Sequence, residues 1–303
     1  MRKLILCAFL TCINLNIFAQ QVPQYTQYRY NMSIVNPAYA GYEDILSIGF
    51  LGKRQWVGVT GAPETYTAFG HGRVSEKLGF GLNVVSDRVG PENKIYANAD
   101  MSYTVDISET FRLGLGVKGG VIFHNVGLTD LQQEQGSDQL FNENVNKTYP
   151  NVGIGLLAYS ERFYLSISVP NFVRTLYFDQ DEGRIANAAE EIHTFIGSGY
   201  IFDVSSMVKL KPSFLLKYAI DTPMSLDVSL NLLWNQKIEF GTSYRLDDAV
   251  SALVNFKVTE NIRIGYAYEY AISNIGEYSS GSHEIIVLAD FFPSNKKRYV
   301  KFY

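Results

Sequence analysis

The strongest constraint on this chain is an alternation of apolar and polar side chains with a period of two residues. The alternation recurs in residues 111–124, 208–218, 237–245 and 262–270. In the last of these segments, Ile264 and Tyr266 have one parity and Arg263 has the other. Successive side chains of a β-strand point to opposite faces, whereas a helix repeats every 3.6 residues. The pattern therefore predicts an all-β chain.

The length of the segments distinguishes a membrane barrel from a soluble sandwich, which also alternates. The alternating segments have about 9 to 13 residues, whereas sandwich strands usually have five or six and a tilted membrane strand needs about 9 to 11. Tyr (21 residues) and Phe (19 residues) are abundant and lie near segment ends, where barrels place their interfacial aromatic girdles. The predicted mature chain also lacks an apolar run long enough for a membrane helix. These features predict a transmembrane outer-membrane β-barrel.

The connections between segments alternate between short and long. The short ones are 74–77, 106–110, 160–162, 203–206, 235–237 and 259–261. The others are 56–63, 89–94, 125–147, 171–190, 220–223, 246–248 and 272–281. Tight turns at one end and longer loops at the other are typical of outer-membrane barrels, which must close because an open sheet edge is unstable in lipid. We predict about 14 antiparallel strands over residues 47–292, with both termini on the periplasmic side.

The N-terminus has the layout of a secretory signal peptide. Arg2 and Lys3 precede the apolar run LILCAFL, and Ala19 is a small residue suited to cleavage. Residues 1–19 are therefore predicted to be removed. Neither Cys7 nor Cys12 follows a small residue, which disfavours lipidation. Both cysteines lie in the predicted signal peptide, so the mature chain is expected to contain no disulfide and no cysteine ligand.

Two short segments flank the predicted barrel. Residues 20–46 form a periplasmic N-terminal segment, in which 24–35 are amphipathic enough for a short helix or a lumen plug. Pro37 is suited to begin a helical turn and Gly41 to end it. Residues 293–303 form a basic periplasmic tail with three lysines and one arginine. The tail either contacts a partner or is merely solvated.

Charged residues recur on the predicted inward face of the strands. They are Asp100, Arg112, Lys118, Lys209, Lys211, Lys217, Asp227, Glu239, Arg245, Lys257, Arg263 and Glu269. Such a set either lines a water-filled channel or pairs across the lumen and closes it. Both signs are well represented, so the sequence leaves the two alternatives open and predicts no strong ion selectivity.

Motifs that would indicate chemistry are weak. The match GLGVKG at 114–119 to a dinucleotide-binding loop lies within uninterrupted strand alternation, and DQDEG at 179–183 is predicted to be a solvated loop tip with at most a weak cation site. The four histidines have no metal-ligand spacing, and no nucleophile and base are brought together. We therefore expect no catalytic residue, no metal and no cofactor. With 26 basic and 30 acidic residues, the chain is not expected to bind nucleic acid.

Four blocks of sequence resemble a known family. NPAYAG at 36–41, KRQW at 53–56, GAP at 61–63 and SHEI at 282–285 are similar to signature blocks of the PorP/SprF family of type IX secretion system membrane proteins. The resemblance implies an outer-membrane β-barrel that acts in protein export and, in some members, in gliding motility. It also implies three kinds of partner: a large secreted surface protein with a type B C-terminal domain, periplasmic ring and peptidoglycan-associated components, and outer-membrane lipid.

The resemblance also marks signature positions, whose role is either partner binding or structural. They are Asn36, Pro37, Ala38, Gly41, Arg54, Gln55, Trp56, Gly61, Pro63, His283 and Glu284. The first and last strands of a barrel must pair, so we expect Arg54 and Glu284 to be neighbours across this seam. Two other functions stay open from the residues alone: a diffusion porin or small-molecule transporter, and an outer-membrane enzyme.

Overall fold

The computed structural model describes residues 23–129, 144–172, 192–220 and 222–291. The predicted signal peptide and basic tail lie outside these ranges, as do most of the two longest predicted loops. No helix in the described ranges is long and apolar enough to cross a membrane.

The structure is a single antiparallel sheet that closes on itself. Its segments are β1 (Leu46–Arg54), β2 (Glu64–Arg73), β3 (Leu78–Val89), β4 (Glu92–Asp106), β5 (Arg112–Val126), β6 (Val145–Tyr159), β7 (Phe163–Val169), β8 (Thr194–Tyr200), β9 (Phe202–Asp203), β10 (Val208–Tyr218), β11 (Ser225–Trp234), β12 (Ile238–Arg245), β13 (Ala249–Lys257), β14 (Ile262–Ala271) and β15 (Ser282–Phe291). Segments β8 and β9 both pair with β10 and are separated only by Ile201, so they are two parts of one strand. The last segment pairs with the first, which confirms the predicted closed barrel of 14 strands.

The exposure of the side chains is that of a membrane barrel. On β5, Leu115 and Val117 point outward and are exposed, whereas Lys118 points inward and is buried. The same inversion holds on β12, where Phe240 is exposed and Glu239 is buried. Apolar side chains that face outward lose nothing in lipid, and polar ones can be satisfied in the lumen. The outward apolar face therefore supports the barrel interpretation over a soluble sandwich.

The two ends of the barrel differ in their connections. We call the end with residues 74–77 and 160–162 the turn end, and the opposite end, with residues 272–281, the loop end. One predicted loop, 89–94, is wrong, because β3 and β4 extend to Val89 and Glu92. Only Gly90 and Pro91 remain between them, and Gly90 has a positive φ of 55° that suits a tight hairpin turn.

Residues 23–45 lie inside the barrel, and we call them the lumen segment. They form three short helical turns, Tyr28–Tyr30, Met32–Val35 and Pro37–Tyr39. Most of their side chains are buried, and several tyrosines of the segment form an apolar cluster with the barrel wall. Inward-facing strand residues from around the barrel contact this segment, so it occupies the space that an open barrel would leave to water.

Candidate functional site

The NPAYAG block builds the turn through which the lumen segment reaches β1. The side chain of Asn36 accepts a hydrogen bond from the backbone N–H of Ala38 (2.9 Å), and Pro37 begins the helical turn. The Asn36 side chain also donates to the carbonyl oxygen of Leu156 on β6 (3.0 Å). Gly41 ends the turn with a φ of 66°, and a methyl group there would overlap the backbone of Gly79. Each of these positions needs its residue type for local geometry.

The first anchor of the lumen segment is a cluster of Lys53, Glu269 and Glu284, which we call the seam cluster. The two carboxylate oxygens of Glu284 accept hydrogen bonds from the backbone N–H groups of Thr26 (2.9 Å) and Gln27 (2.7 Å). Lys53 Nζ lies 3.3 Å from Glu269 Oε1 and 4.0 Å from Glu284 Oε2. The Lys53 and Glu284 side chains are almost fully buried. Because these two residues belong to the first and last strands, the cluster ties the lumen segment to the closure of the barrel.

The second anchor surrounds Glu239. Its carboxylate lies 2.9 Å from Lys211 Nζ, 3.9 Å from a guanidinium nitrogen of Arg29 and 3.8 Å from one of Arg263. Arg29 belongs to the lumen segment, whereas the other three residues belong to the wall. Arg263 also lies over the ring of Tyr30, 5.8 Å from its centroid. A single buried carboxylate thus holds three cations together, and the low dielectric of the site strengthens this attraction.

The third anchor lies on β4 to β7. Lys118 Nζ lies 2.9 Å from Asp100 Oδ1 and donates to the carbonyl oxygen of Ser33 (3.4 Å). Ser168 donates to the carbonyl oxygen of Val35 (2.7 Å). Together with the first two anchors, these contacts fix the lumen segment to the wall at three places around the barrel.

Glycines on the inward face let the lumen segment approach the wall directly. A methyl group at Gly116 would overlap the backbone of Ala38, and one at Gly155 would overlap the side chain of Asn36. The wall and the segment are therefore in backbone contact there, which only glycine permits.

The lumen segment runs from near the loop end of the barrel to the turn end. Thr26 lies beside Glu284, at the loop end of β15, and Gly41 lies beside Gly79, at the turn end of β3. A cavity of about 70 Å³ remains above the segment, lined by residues that include Pro23, Tyr25 and His193.

The predicted inward charges could either line a water-filled channel or pair and close the lumen, and the structure shows them paired. Lys118 pairs with Asp100, Lys211 with Glu239, and Arg245 with both Asp227 (3.0 Å) and Glu269 (3.3 Å). Opposite charges pair along the wall, between neighbouring or next-neighbouring strands, and the lumen segment fills the interior that they surround. Arg112, Lys209 and Lys257 differ from these, because they lie near the turn end and pair there with Asp106, Asp203 and Glu260.

The prediction that Arg54 and Glu284 are neighbours across the seam is wrong. The strands do pair across the seam, but Glu284 lies opposite Lys53, and Arg54 lies opposite His283. A shift of one residue along a strand exchanges the two faces, so Arg54 and His283 point outward. There Arg54 pairs with Glu64 at 3.1 Å, and His283 Nδ1 lies 2.7 Å from the Tyr266 hydroxyl.

The other signature positions shape the loop that follows β1. Gln55 is buried, and its backbone N–H donates to the carbonyl oxygen of Pro63 (2.9 Å). Trp56 and Gly61 both have positive φ values, of 44° and 74°. A positive φ at a tryptophan is uncommon and requires support. Two hydrogen bonds hold the backbone in this conformation. Trp56 N–H donates to Ser282 Oγ (3.2 Å), and Val57 N–H donates to the carbonyl oxygen of Gly281 (2.8 Å).

The sequence did not single out Lys53, Thr26 or Arg29 as anchors. Lys53 has the parity of the buried residues Leu51 and Gln55, which was a signal that its ammonium group faces inward. The roles of Thr26 and Arg29 had no such signal, because the carboxylates that they contact, Glu284 and Glu239, lie more than 200 residues away in the chain. In the described residues, no group of His, Asp or Glu side chains is arranged to hold a metal ion.

Solved structures share this architecture. The chain is similar to a CymD monoaromatic hydrocarbon channel (10% identity, TM-score 0.50, covering 86% of this chain and 91% of that one). It is also similar to the P. putida toluene transporter TodX (9% identity, TM-score 0.50, covering 88% and 95%). Identities this low show the fold alone. No curated protein sequence matches this chain.

A family model extends over nearly the whole chain. The model described as "Type IX secretion system membrane protein PorP/SprF" matches residues 17–288, a range that includes the lumen segment, the seam cluster and 13 complete strands with most of the last. Together with the barrel fold, this match indicates the outer membrane. The chain belongs to the PorP/SprF family of type IX secretion system membrane proteins.

Proposed function

We propose that this protein is an outer-membrane anchor that binds one large secreted surface protein with a type B C-terminal domain and holds or delivers it at the cell surface. In this role the loop end faces outward, and the turn end faces the periplasmic ring and peptidoglycan-associated components of the secretion machine. A contribution to gliding motility is part of the same proposal. The role is one of binding and assigns no catalytic step to the chain.

The observation that carries the proposal is the filled lumen. The lumen segment is held by hydrogen bonds from the backbone of Thr26 and Gln27 to the buried Glu284 and by the buried ion pair of Arg29 with Glu239, and its backbone contacts the wall at Gly116. Removing one partner of a buried ion pair costs about 3 to 5 kcal/mol, so the pair of Arg29 with Glu239 resists displacement of the segment. A barrel whose lumen contains its own chain is better suited to a holding role than to diffusion of solutes.

The second candidate is a small-molecule channel. The similarity in fold to a hydrocarbon channel and a toluene transporter favours it, although these names belong to those proteins. A channel of this kind requires that the lumen segment move, since it occupies the barrel interior. The two candidates therefore predict different conductance for the purified protein.

The test is affinity purification of the tagged protein from gently solubilised outer membranes, with partners identified by mass spectrometry. The proposal predicts one very large secreted protein, at close to stoichiometric amounts, together with periplasmic components of the machine. The same preparation, inserted into a planar bilayer, is expected to show no steady conductance. A lone barrel that conducts ions would instead support the channel, and the anchoring role would be abandoned.

A further inference from the structure

The outward wall of the barrel has a row of charged and polar residues where apolar ones are the rule. Arg54 on β1 lies opposite His283 on β15 and opposite Glu64 on β2, and Glu64 in turn lies opposite Arg88 on β3. All four have the outward parity of their strands. Nearer the turn end, the outward positions of the same strands hold exposed apolar residues: Phe50, Val84 and Ile285. We call Arg54, Arg88 and His283 the rim patch.

The rim patch lies at the level of lipid headgroups. Arg54 is four residues beyond Phe50, and Arg88 is four residues beyond Val84, in each case toward the loop end. With a rise of about 3.3 Å per residue and a strand tilt of about 40°, this places the Cα atoms of Arg54 and Arg88 roughly 10 Å above those of Phe50 and Val84. Between the two levels lies Tyr66, which is exposed on the outward face as an interfacial aromatic residue is expected to be.

The guanidinium groups of the patch have donors to spare. The Arg54 side chain is 68% exposed, and its ion pair with Glu64 Oε1 uses Nε. Arg88 is exposed, and no ion pair joins it to any residue in the described ranges. Arg54 and Arg88 are separated by one strand, or roughly 10 Å, because neighbouring strands lie about 4.8 Å apart. A ligand with two anionic groups can reach both.

We propose that the rim patch binds the phosphate groups of a membrane lipid headgroup in the leaflet at the loop end of the barrel. A guanidinium offers a planar pair of N–H donors that matches phosphate oxygens, and it is less strongly hydrated than an ammonium. Glu64 orients Arg54 from one side, while Tyr266 orients His283 through its hydroxyl (2.7 Å). The proposal depends on the membrane position of the barrel and is independent of any secreted partner.

The test compares lipid retention by the full-length wild-type barrel, the R54Q/R88Q variant and the R112Q variant. Arg112 is a matched control, since it is also exposed and paired with one carboxylate, but it lies at the turn end. Each delipidated protein is incubated with micelles of a non-ionic detergent that contain lipid A, or lipid A with its phosphates removed, and bound lipid is counted by native mass spectrometry. Slower migration after boiling on a gel verifies that each variant is a folded barrel.

The wild type and the R112Q variant are expected to retain lipid A and to retain much less of the dephosphorylated lipid. The R54Q/R88Q variant is expected to lose at least about tenfold in lipid A retention, since two charge-assisted contacts are removed. Equal retention of the two lipids by the wild type would overturn the proposal, as would wild-type retention by R54Q/R88Q. If R54Q/R88Q retains lipid A but loses a co-purifying protein, the patch is a protein-docking surface and the lipid assignment is wrong.

Discussion

Lys53 and Arg54 are adjacent in β1, yet their side chains face opposite surroundings. The Lys53 side chain is fully buried beside Glu269 and Glu284, whereas that of Arg54 is 68% exposed. Glu269 also pairs with Arg245, but Glu284 would lose its cation on removal of the Lys53 ammonium group and would be left as an unpaired charge in a medium of low dielectric. An exposed pair gains little, because water and salt screen it. The two residues therefore form a natural matched pair for mutation.

We expect Lys53→Met to lower the free energy of unfolding by about 3 to 5 kcal/mol, because methionine has a similar volume but no charge. The adjacent Arg54→Gln is expected to change it by less than about 1 kcal/mol. Urea titration of the refolded barrel, followed by tryptophan fluorescence, measures both. Equal effects of the two substitutions would mean that the seam cluster does not stabilise the barrel.

The same two residues show what sequence could and could not predict at this scale. Pairing of the first and last strands follows from closure and was confirmed. The register of that pairing was not available, because it depends on how the whole sheet is staggered around the barrel. The prediction was therefore wrong by one residue. The partner of Glu284 is Lys53 instead of Arg54, and Arg54 faces outward instead of inward.

At the scale of elements, β5 shows two different uses of glycine on one strand. Gly116 faces inward and leaves no room for a methyl group against the backbone of Ala38, whereas a methyl group at Gly119 meets nothing within 4 Å. The lumen segment at that point is backbone, which cannot move aside as a flexible side chain can. The sequence showed a glycine-rich strand but not which glycine the fold requires.

We predict that Gly116→Ala lowers the free energy of unfolding by about 1 to 3 kcal/mol and loosens the lumen segment. The control Gly119→Ala is expected to be neutral or slightly stabilising, since alanine loses less backbone entropy on folding. Unfolding in urea measures stability, and limited proteolysis of the folded barrel measures release of the lumen segment. If Gly116→Ala is as harmless as the control, the segment is not packed against β5 in the membrane.

The strands and the lumen segment differ in how far sequence could predict them. Alternation is local, so it identified the segments, their approximate lengths and their inward charges. The lumen segment has single helical turns with no sustained period, and its partners are distant, as in the contact between Thr26 and Glu284. A plug was therefore one alternative from sequence, and only the assembled barrel supplies the surfaces against which these residues pack.

At the scale of the whole molecule, the two ends of the barrel present different connections to a partner. The turn end has only short connections in the described residues, whereas the loop end has the longer ones together with two tight hairpins, at residues 90–91 and 246–248, and lies beyond the rim patch. The proposed anchoring role requires that the loop end face the cell exterior, because a secreted protein must be held there. Orientation is therefore the property of the whole molecule on which the function depends most directly.

Single-cysteine labelling tests this orientation, since Cys7 and Cys12, the chain's two cysteines, both lie in the predicted signal peptide. Tyr278 at the loop end is 73% exposed, and Thr110 at the turn end is also exposed. We expect a membrane-impermeant maleimide to label Tyr278→Cys on intact cells, and to label Thr110→Cys only after the outer membrane is permeabilised. The wild type, whose two cysteines both lie in the predicted signal peptide, is the blank. The reverse pattern would put the turn end outside, and a surface protein could then no longer be held by the loop end.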